Sequence, residues 1–100
     1  MKEDIFNQYV DRVLSLFGIT KEELFSRSRK RNIVDARQLV YYLCYNRPIM
    51  LKYVENFMSN NGHDVCRQTI KHGVNIVEDK IQSDRDYQSI IKEIERVVFI

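Results

Sequence analysis

The stretch IMLKYVENFMSNNGHDVCRQTIKHGVNIV, residues 49–77, decides the fold. Its first part repeats apolar residues at helical spacing: Ile49, Met50, Tyr53, Val54 and Phe57. Ser59-Asn60-Asn61-Gly62 then stops the pattern, because Gly and Asn tolerate the left-handed backbone that closes a helix. Ile70, Val74 and Val77, with small Gly73 between them, resume a core face over residues 65–80. A helix, a turn containing Gly, and a second helix with polar residues early in it is the helix-turn-helix pattern. With Ile70, Val74 and Val77 inward, Arg67, Gln68, Lys71 and Asn75 face outward. In a major groove Arg is suited to guanine and Gln to adenine. An ordinary helical hairpin with a polar outer face gives the same pattern, so the segment needs support from elsewhere in the chain.

The flanking sequence is helical too. Ile5, Tyr9, Val13, Leu16 and Phe17 predict an amphipathic helix over 4–17, stopped at Gly18. Thr20-Lys21-Glu22-Glu23 has the capping-box spacing and opens a short helix ending near Phe25. Residues 26–33 carry one apolar residue and no periodicity, and read as a loop. Asp35 and Gln38 have the spacing to cap the next helix, whose inward face is Leu39, Val40, Leu43 and Cys44 and which ends at Asn46-Arg47-Pro48. Ser83-Asp84-Arg85-Asp86 caps a last helix facing inward with Tyr87, Ile90, Ile91, Ile94 and Val98. No stretch alternates with period two, so the expected class is all-α: five longer helices and one short one, in a single domain spanning residues 1–100.

The net charge of +2 conceals a strong asymmetry. Residues 20–52 hold eight basic side chains against Glu22, Glu23 and Asp35, whereas the segments on either side are each slightly acidic. Within that third, Arg27, Arg29, Lys30 and Arg31 follow one another with no acid between Glu23 and Asp35. Such local concentration favours phosphate pairing and counterion release at a nucleic-acid contact. In an extended loop alternate residues share a direction, so Arg27, Arg29 and Arg31 are expected to point one way. One would enter a minor groove while the others meet phosphates. Asp35, read as the cap of the following helix, argues against a phosphate at that helix start.

Other chemistries lack their residues. His63, His72, Cys44 and Cys66 have no paired metal-ligand spacing, and the two thiols are expected to be reduced. His63 reads as a turn histidine and Cys44 as a small buried hydrophobe. Tyr41, Tyr42, Tyr45 and Tyr53 read as core or rim packing rather than base-stacking residues. No catalytic constellation, no cofactor motif and no G-x-x-x-x-G-K-[ST] loop for nucleotide phosphates is present. Neither a membrane-spanning apolar run nor a secretory leader is found, which predicts a cytoplasmic protein.

Two segments together carry a family resemblance. Leu24-Phe25-Ser26-Arg27-Ser28-Arg29-Lys30-Arg31-Asn32-Ile33-Val34-Asp35-Ala36-Arg37-Gln38-Leu39-Val40-Tyr41-Tyr42-Leu43 resembles the C-terminal DNA-binding domain of the bacterial replication initiator DnaA. There a short helix precedes a basic loop, and the next helix opens with Arg-Gln. The resemblance runs over residues 4–80 and implies a small all-α bundle with a helix-turn-helix, Trp-repressor-like in type. It implies that Arg29 enters the minor groove, that Arg37 and Gln38 contact the backbone, and that Thr69 contacts a base or methyl group. At the recognition helix the family reads approximately Asp-His-Thr-Thr-Val. Cys66-Arg67-Gln68-Thr69-Ile70 keeps only the second Thr and the apolar residue, after a longer turn. A different target site is expected.

The expected function is therefore double-stranded DNA binding, in replication initiation or transcription control, by a stand-alone module such as a phage or mobile element carries. Arg67, Gln68, Thr69, Lys71 and His72 serve the major groove, while Arg27, Arg29, Lys30, Arg31, Arg37 and Gln38 serve the minor groove and backbone. The alternative is an interaction module that binds a replication protein. Its motivation is the altered recognition helix and the apolar end Val97-Val98-Phe99-Ile100, which either docks on a partner or completes the core.

Overall fold

The computed structural model describes residues 1–98; Phe99 and Ile100, and with them half of the apolar carboxyl end, lie outside the described residues. Helix α1 (Lys2–Phe17) buries Ile5, Phe6, Tyr9, Val10 and Val13. It ends where Gly18 adopts the left-handed conformation (φ 63°) and its N–H returns to the Leu14 carbonyl. Leu16, read as inward, is instead 46% exposed. Helix α2 (Lys21–Leu24) is opened by the expected capping box: Glu23 N–H donates to Thr20 Oγ1 at 3.1 Å, and Thr20 N–H to Glu23 Oε1 at 2.9 Å.

Helix α3 (Arg31–Asn46) begins four residues before Asp35, so the Asp35 cap and the loop boundary at residue 33 are both corrected. Lys30 is the N-cap and offers no side-chain bond. What extends the helix backwards is burial: Ile33 is 2% exposed, and one more turn brings it into the core. Asp35 sits in the second turn and pairs with Lys80 at 3.2 Å. Helix α4 (Leu51–Asn60) buries Val54 and Met58, while Met50 precedes it and stands exposed, against the apolar spacing.

Helix α5 (Arg67–Ser83) buries Ile70, Gly73, Val74 and Val77, and α6 (Arg85–Val97) buries Ile91 and Ile94. Asp84 caps α6 by accepting from Asp86 N–H at 2.9 Å. All described elements are helices, as the sequence predicts.

Helix α3 is the centre of the bundle, packed mainly on α5 and α1, with α4 against α5 and α1 and α6 against α5. Phe6, Tyr9, Leu24, Leu39, Leu43, Met58 and Ile70 are fully buried there, each contributing about 1.5–3 kcal/mol by leaving water. Arg67, Gln68 and Asn75 are exposed on the opposite face of α5, as expected, and Lys71 is half-buried. The bundle thus fixes α5 by its apolar face and leaves its first turns open beside the start of α3.

Candidate nucleic-acid interface

The basic segment between α2 and α3 is not extended. Ser26 Oγ donates to the Glu23 carbonyl at 2.7 Å, Ser28 N–H donates to Ser26 Oγ at 3.1 Å, and Lys30 N–H donates to Ser28 Oγ at 3.2 Å. Two successive serine turns therefore curl the segment. The extended backbone on which the shared direction of Arg27, Arg29 and Arg31 rests is replaced by this curl. Arg29 lines all three depressions beside the loop, Arg27 lines the one at the α4–α5 turn, and Arg31 lines the one that Lys80 of α5 borders.

Arg37 holds this curl from inside. It is 8% exposed; Nε donates to the Leu24 carbonyl at 2.7 Å, Nη1 to Ser28 at 2.8 Å and Nη2 to Ser26 at 2.6 Å. A planar guanidinium satisfies three carbonyls at once because its donors form a fixed fork. Burial lowers its pKa, partly countered by Tyr41.

Across the cleft, the turn after α4 is closed by Gly62 (φ 90°), whose N–H donates to the Ser59 carbonyl, and by His63 N–H donating to Met58. His63 Nδ1 then reaches the Ser26 carbonyl at 2.9 Å. Because a carbonyl only accepts, Nδ1 carries the hydrogen. Burial, and next the Arg37 charge, lower the His63 pKa, so the ring is neutral at pH 7. Nothing in the sequence spacing signals a contact spanning 37 residues.

Three adjoining depressions of about 410, 290 and 250 Å3 run between the loop, α3 and α5, and Arg29 lines all of them. Thr69 lines the two nearer the turn, Gln38 the two along α3, and His72 the middle one. The fold thus brings Arg27, Arg29, Arg31, Gln38, Thr69 and His72 to one face. Lys30 stands outside the depressions as the exposed N-cap of α3. Arg67 and Gln68 are exposed at the start of α5; Arg67 is held by Glu55 of α4 at 3.2 Å. Lys71 donates to the Tyr45 hydroxyl at 3.1 Å and lies 4.2 Å from that ring's centroid.

Among the described residues, Arg27, Arg29, Lys30 and Arg31 take part in no ion pair. The helix starts bordering them, α3 and α5, have no side-chain cap bond and no acid in the first turn. α6, by contrast, is capped by Asp84. Unpaired cations and uncapped helix N-termini both favour an anion at this face. Cys66, the N-cap of α5, is an exposed free thiol whose pKa is lowered by its Thr69 hydrogen bonds; Cys44 is buried and pushed up to about 12. No cluster of metal-ligating side chains occurs among the described residues. None of the described helices is long and apolar enough to cross a membrane.

Residues 7–63 match the family described as the bacterial dnaA protein helix-turn-helix, and the match ends in the turn, four residues before α5. The chain is 32% identical over 83 residues to the chromosomal replication initiator protein DnaA of Lachnoclostridium phytofermentans, covering 82% of this chain and 17% of that protein. It is 28% identical to the DnaA of Bacteroides thetaiotaomicron over the same shares, and 24% identical to that of Flavobacterium psychrophilum over 96% of this chain and 20% of the relative. The chain spans about a fifth of the length of these relatives or less. No solved structure matches the chain significantly. With more than half of its residues matched, including the basic loop and the turn that brackets it, the chain belongs to the helix-turn-helix family of bacterial DnaA proteins.

Proposed function

We propose that this chain binds double-stranded DNA, serving replication initiation or transcription control, with α5 in the major groove and the basic loop on the adjacent minor groove and backbone. The observation that carries the reading is the convergence of the loop and the first turns of α5 on one face, with Arg29 between them and, among the described residues, no acid pairing the loop's cations. Arg29 enters the narrow, strongly negative minor groove. Arg27, Lys30 and Arg31 meet phosphates, assisted by the uncapped N-terminus of α3. Arg67, Gln68 and Thr69 present donors and a methyl group to base edges, and Glu55 orients Arg67. Lys71 and His72 extend the contact along α5, and Gln38 lies on the cleft wall. Arg37 acts from beneath, as the residue that shapes the loop. Because the helix start reads Cys66-Arg67-Gln68-Thr69, the preferred site differs from that of proteins with Asp-His-Thr-Thr.

The test is a fluorescence-anisotropy titration with a random pool of labelled duplexes at low and moderate salt. Binding weakens with salt, and Arg29→Ala costs about 1–3 kcal/mol while Lys30→Ala mainly flattens the salt dependence. Failure of the intact protein to bind at low salt would sink the reading.

A second reading, a module that docks on a replication protein, draws on an apolar groove of about 450 Å3 between α1 and α6, where Leu16, Ile90 and Val97 face solvent in part and buried Ile94 forms part of the lining. Association through that groove would be insensitive to salt, which separates it from DNA binding.

A further inference from the structure

The Ser26 carbonyl receives two donors from different parts of the fold. Arg37 Nη2 reaches it from α3 at 2.6 Å, and His63 Nδ1 reaches it from the α4–α5 turn at 2.9 Å. The carbonyls two residues to either side, Leu24 at the end of α2 and Ser28 in the loop, are held by the same guanidinium. His63 is itself anchored, since its N–H donates to the Met58 carbonyl and Gly62 turns the chain just before it. The histidine therefore links the backbone that leads into α5 to the backbone that carries Arg27 and Arg29. Between these two anchored points lies the 410 Å3 cleft lined by Arg27, Arg29 and Thr69.

We propose that His63 is a positioning residue for DNA recognition: its bond to the Ser26 carbonyl sets the spacing between the basic loop and α5, so that both engage adjacent grooves as one unit. The inference rests on the DNA-binding reading above. Two elements that must contact one duplex at the same time lose affinity if their relative position has to be ordered on binding. Arg37 alone fixes the loop to α3 but does not reach the turn; His63 closes that gap.

The charges acting on the ring are Arg37 from α3, which disfavours its protonation, and Asp64 from its own turn, which favours it; Arg27 and Arg29 of the loop line the same cleft. Burial, and next Arg37, disfavour the charged ring, and the Ser26 carbonyl keeps the hydrogen on Nδ1. The tether is thus a neutral hydrogen bond, replaceable by any side chain that places an N–H at the same point. Asn places its amide nitrogen near the position of Nδ1, whereas Ala removes the donor.

The experiment compares intact protein, His63→Ala and His63→Asn in anisotropy titrations with random duplex, each also carrying Arg29→Ala. Loss of the tether weakens binding about three- to tenfold, the size of one net hydrogen bond, and His63→Asn restores most of it. In the Arg29→Ala background, His63→Ala adds less than about twofold, because the loop it positions no longer reads the groove. Fully additive losses, or His63→Asn as weak as His63→Ala, would overturn the proposal.

A measurement without DNA keeps the tether separate from the binding reading. Amide hydrogen exchange at Ser28 and Lys30 speeds up in His63→Ala and returns toward normal in His63→Asn. Unchanged exchange rates overturn the tether whatever the DNA result. If the intact protein does not bind duplex while exchange responds as expected, the DNA-binding reading falls and the mechanical link stands.

Discussion

Gly73 of α5 lies so close to Tyr41 of α3 that a Cβ on the glycine would stand 3.0 Å from Tyr41 Cδ2, with Gln38 Cγ at 3.1 Å. Tyr41 is 3% exposed and its hydroxyl pKa is pushed up to about 12 by that burial, so its ring has little space to retreat into. This contact sets the distance between α3 and α5, and with it the cleft where Gln38, Thr69 and His72 meet.

Gly73→Ala opposes two effects. Alanine in a helix interior is favoured over glycine by about 1 kcal/mol. Overpacking a tight contact costs about 1–3 kcal/mol. Because Tyr41 is the fixed partner and Gln38 the yielding one, the expected result is a net loss of about 1 kcal/mol in urea unfolding. Gly73→Val loses more, adding two further carbons to the same space. A Gly73→Ala protein as stable as the parent would show that Tyr41 can shift.

Arg37 carries a heavier load than its place in a basic sequence suggests. Arg37→Ala leaves the carbonyls of Leu24, Ser26 and Ser28 without their guanidinium partner, and a stability loss of roughly 3 kcal/mol is expected from bonds of this charged, buried kind. Arg37→Lys keeps the charge but cannot span three acceptors with a point donor, so it recovers only part of the loss. Thermal unfolding of the two variants checks this. If Arg37→Lys matched the parent, charge alone would organise the loop.

The same residues show what the sequence discloses. The helix-turn-helix was legible because Ile70, Val74 and Val77 obey helical spacing and Gly62 interrupts it, and the Thr20–Glu23 capping box was legible because both halves lie within four residues. Asp35 misled, since a good local cap loses to the burial of Ile33, a tertiary gain that no window around residue 35 contains. Leu16 and Met50 have core spacing but stand at helix ends where no partner helix covers them. At the interface, charge concentration located the loop but could not show that Arg37 points inward while Arg29 points out. His63 was unreadable for the same reason, as its partner carbonyl is 37 residues away.

Protonation of His63 gives a pH dependence of stability with a definite sign. In the fold, burial and Arg37 hold its pKa below the unfolded value of about 6.5, with the backbone hydrogen bonds to Ser26 and Phe25, and then Asp64, opposing. Between the two values the unfolded chain binds more protons than the folded one, so stability is complete above the unfolded pKa and declines as pH falls through the folded one. The thermal midpoint of the parent should drop from pH 7.5 to 5.5 by more than that of His63→Asn, which has no proton to take up. Parallel curves for the two proteins would remove His63 from the pH response.

Asp35 is an acid within the basic face. It lines the cleft of Arg29 and Arg31 and pairs with Lys80 at 3.2 Å, both partners being partly exposed. Such a pair contributes no more than about 1 kcal/mol, so Asp35→Asn should leave the fold nearly as stable. Its effect on DNA should be larger and opposite in sign: removing one negative charge strengthens the field of both arginines, and Lys80 becomes free to meet a phosphate. Binding to random duplex at low salt should tighten by about two- to fivefold, with a steeper salt dependence and convergence with the parent at high salt. Because Asp35 and Lys80 lie at the end of the cleft farthest from Thr69, the result also places the duplex. Tighter binding means the DNA runs the length of the α3–α5 groove, and unchanged binding confines it to the loop and the first turns of α5.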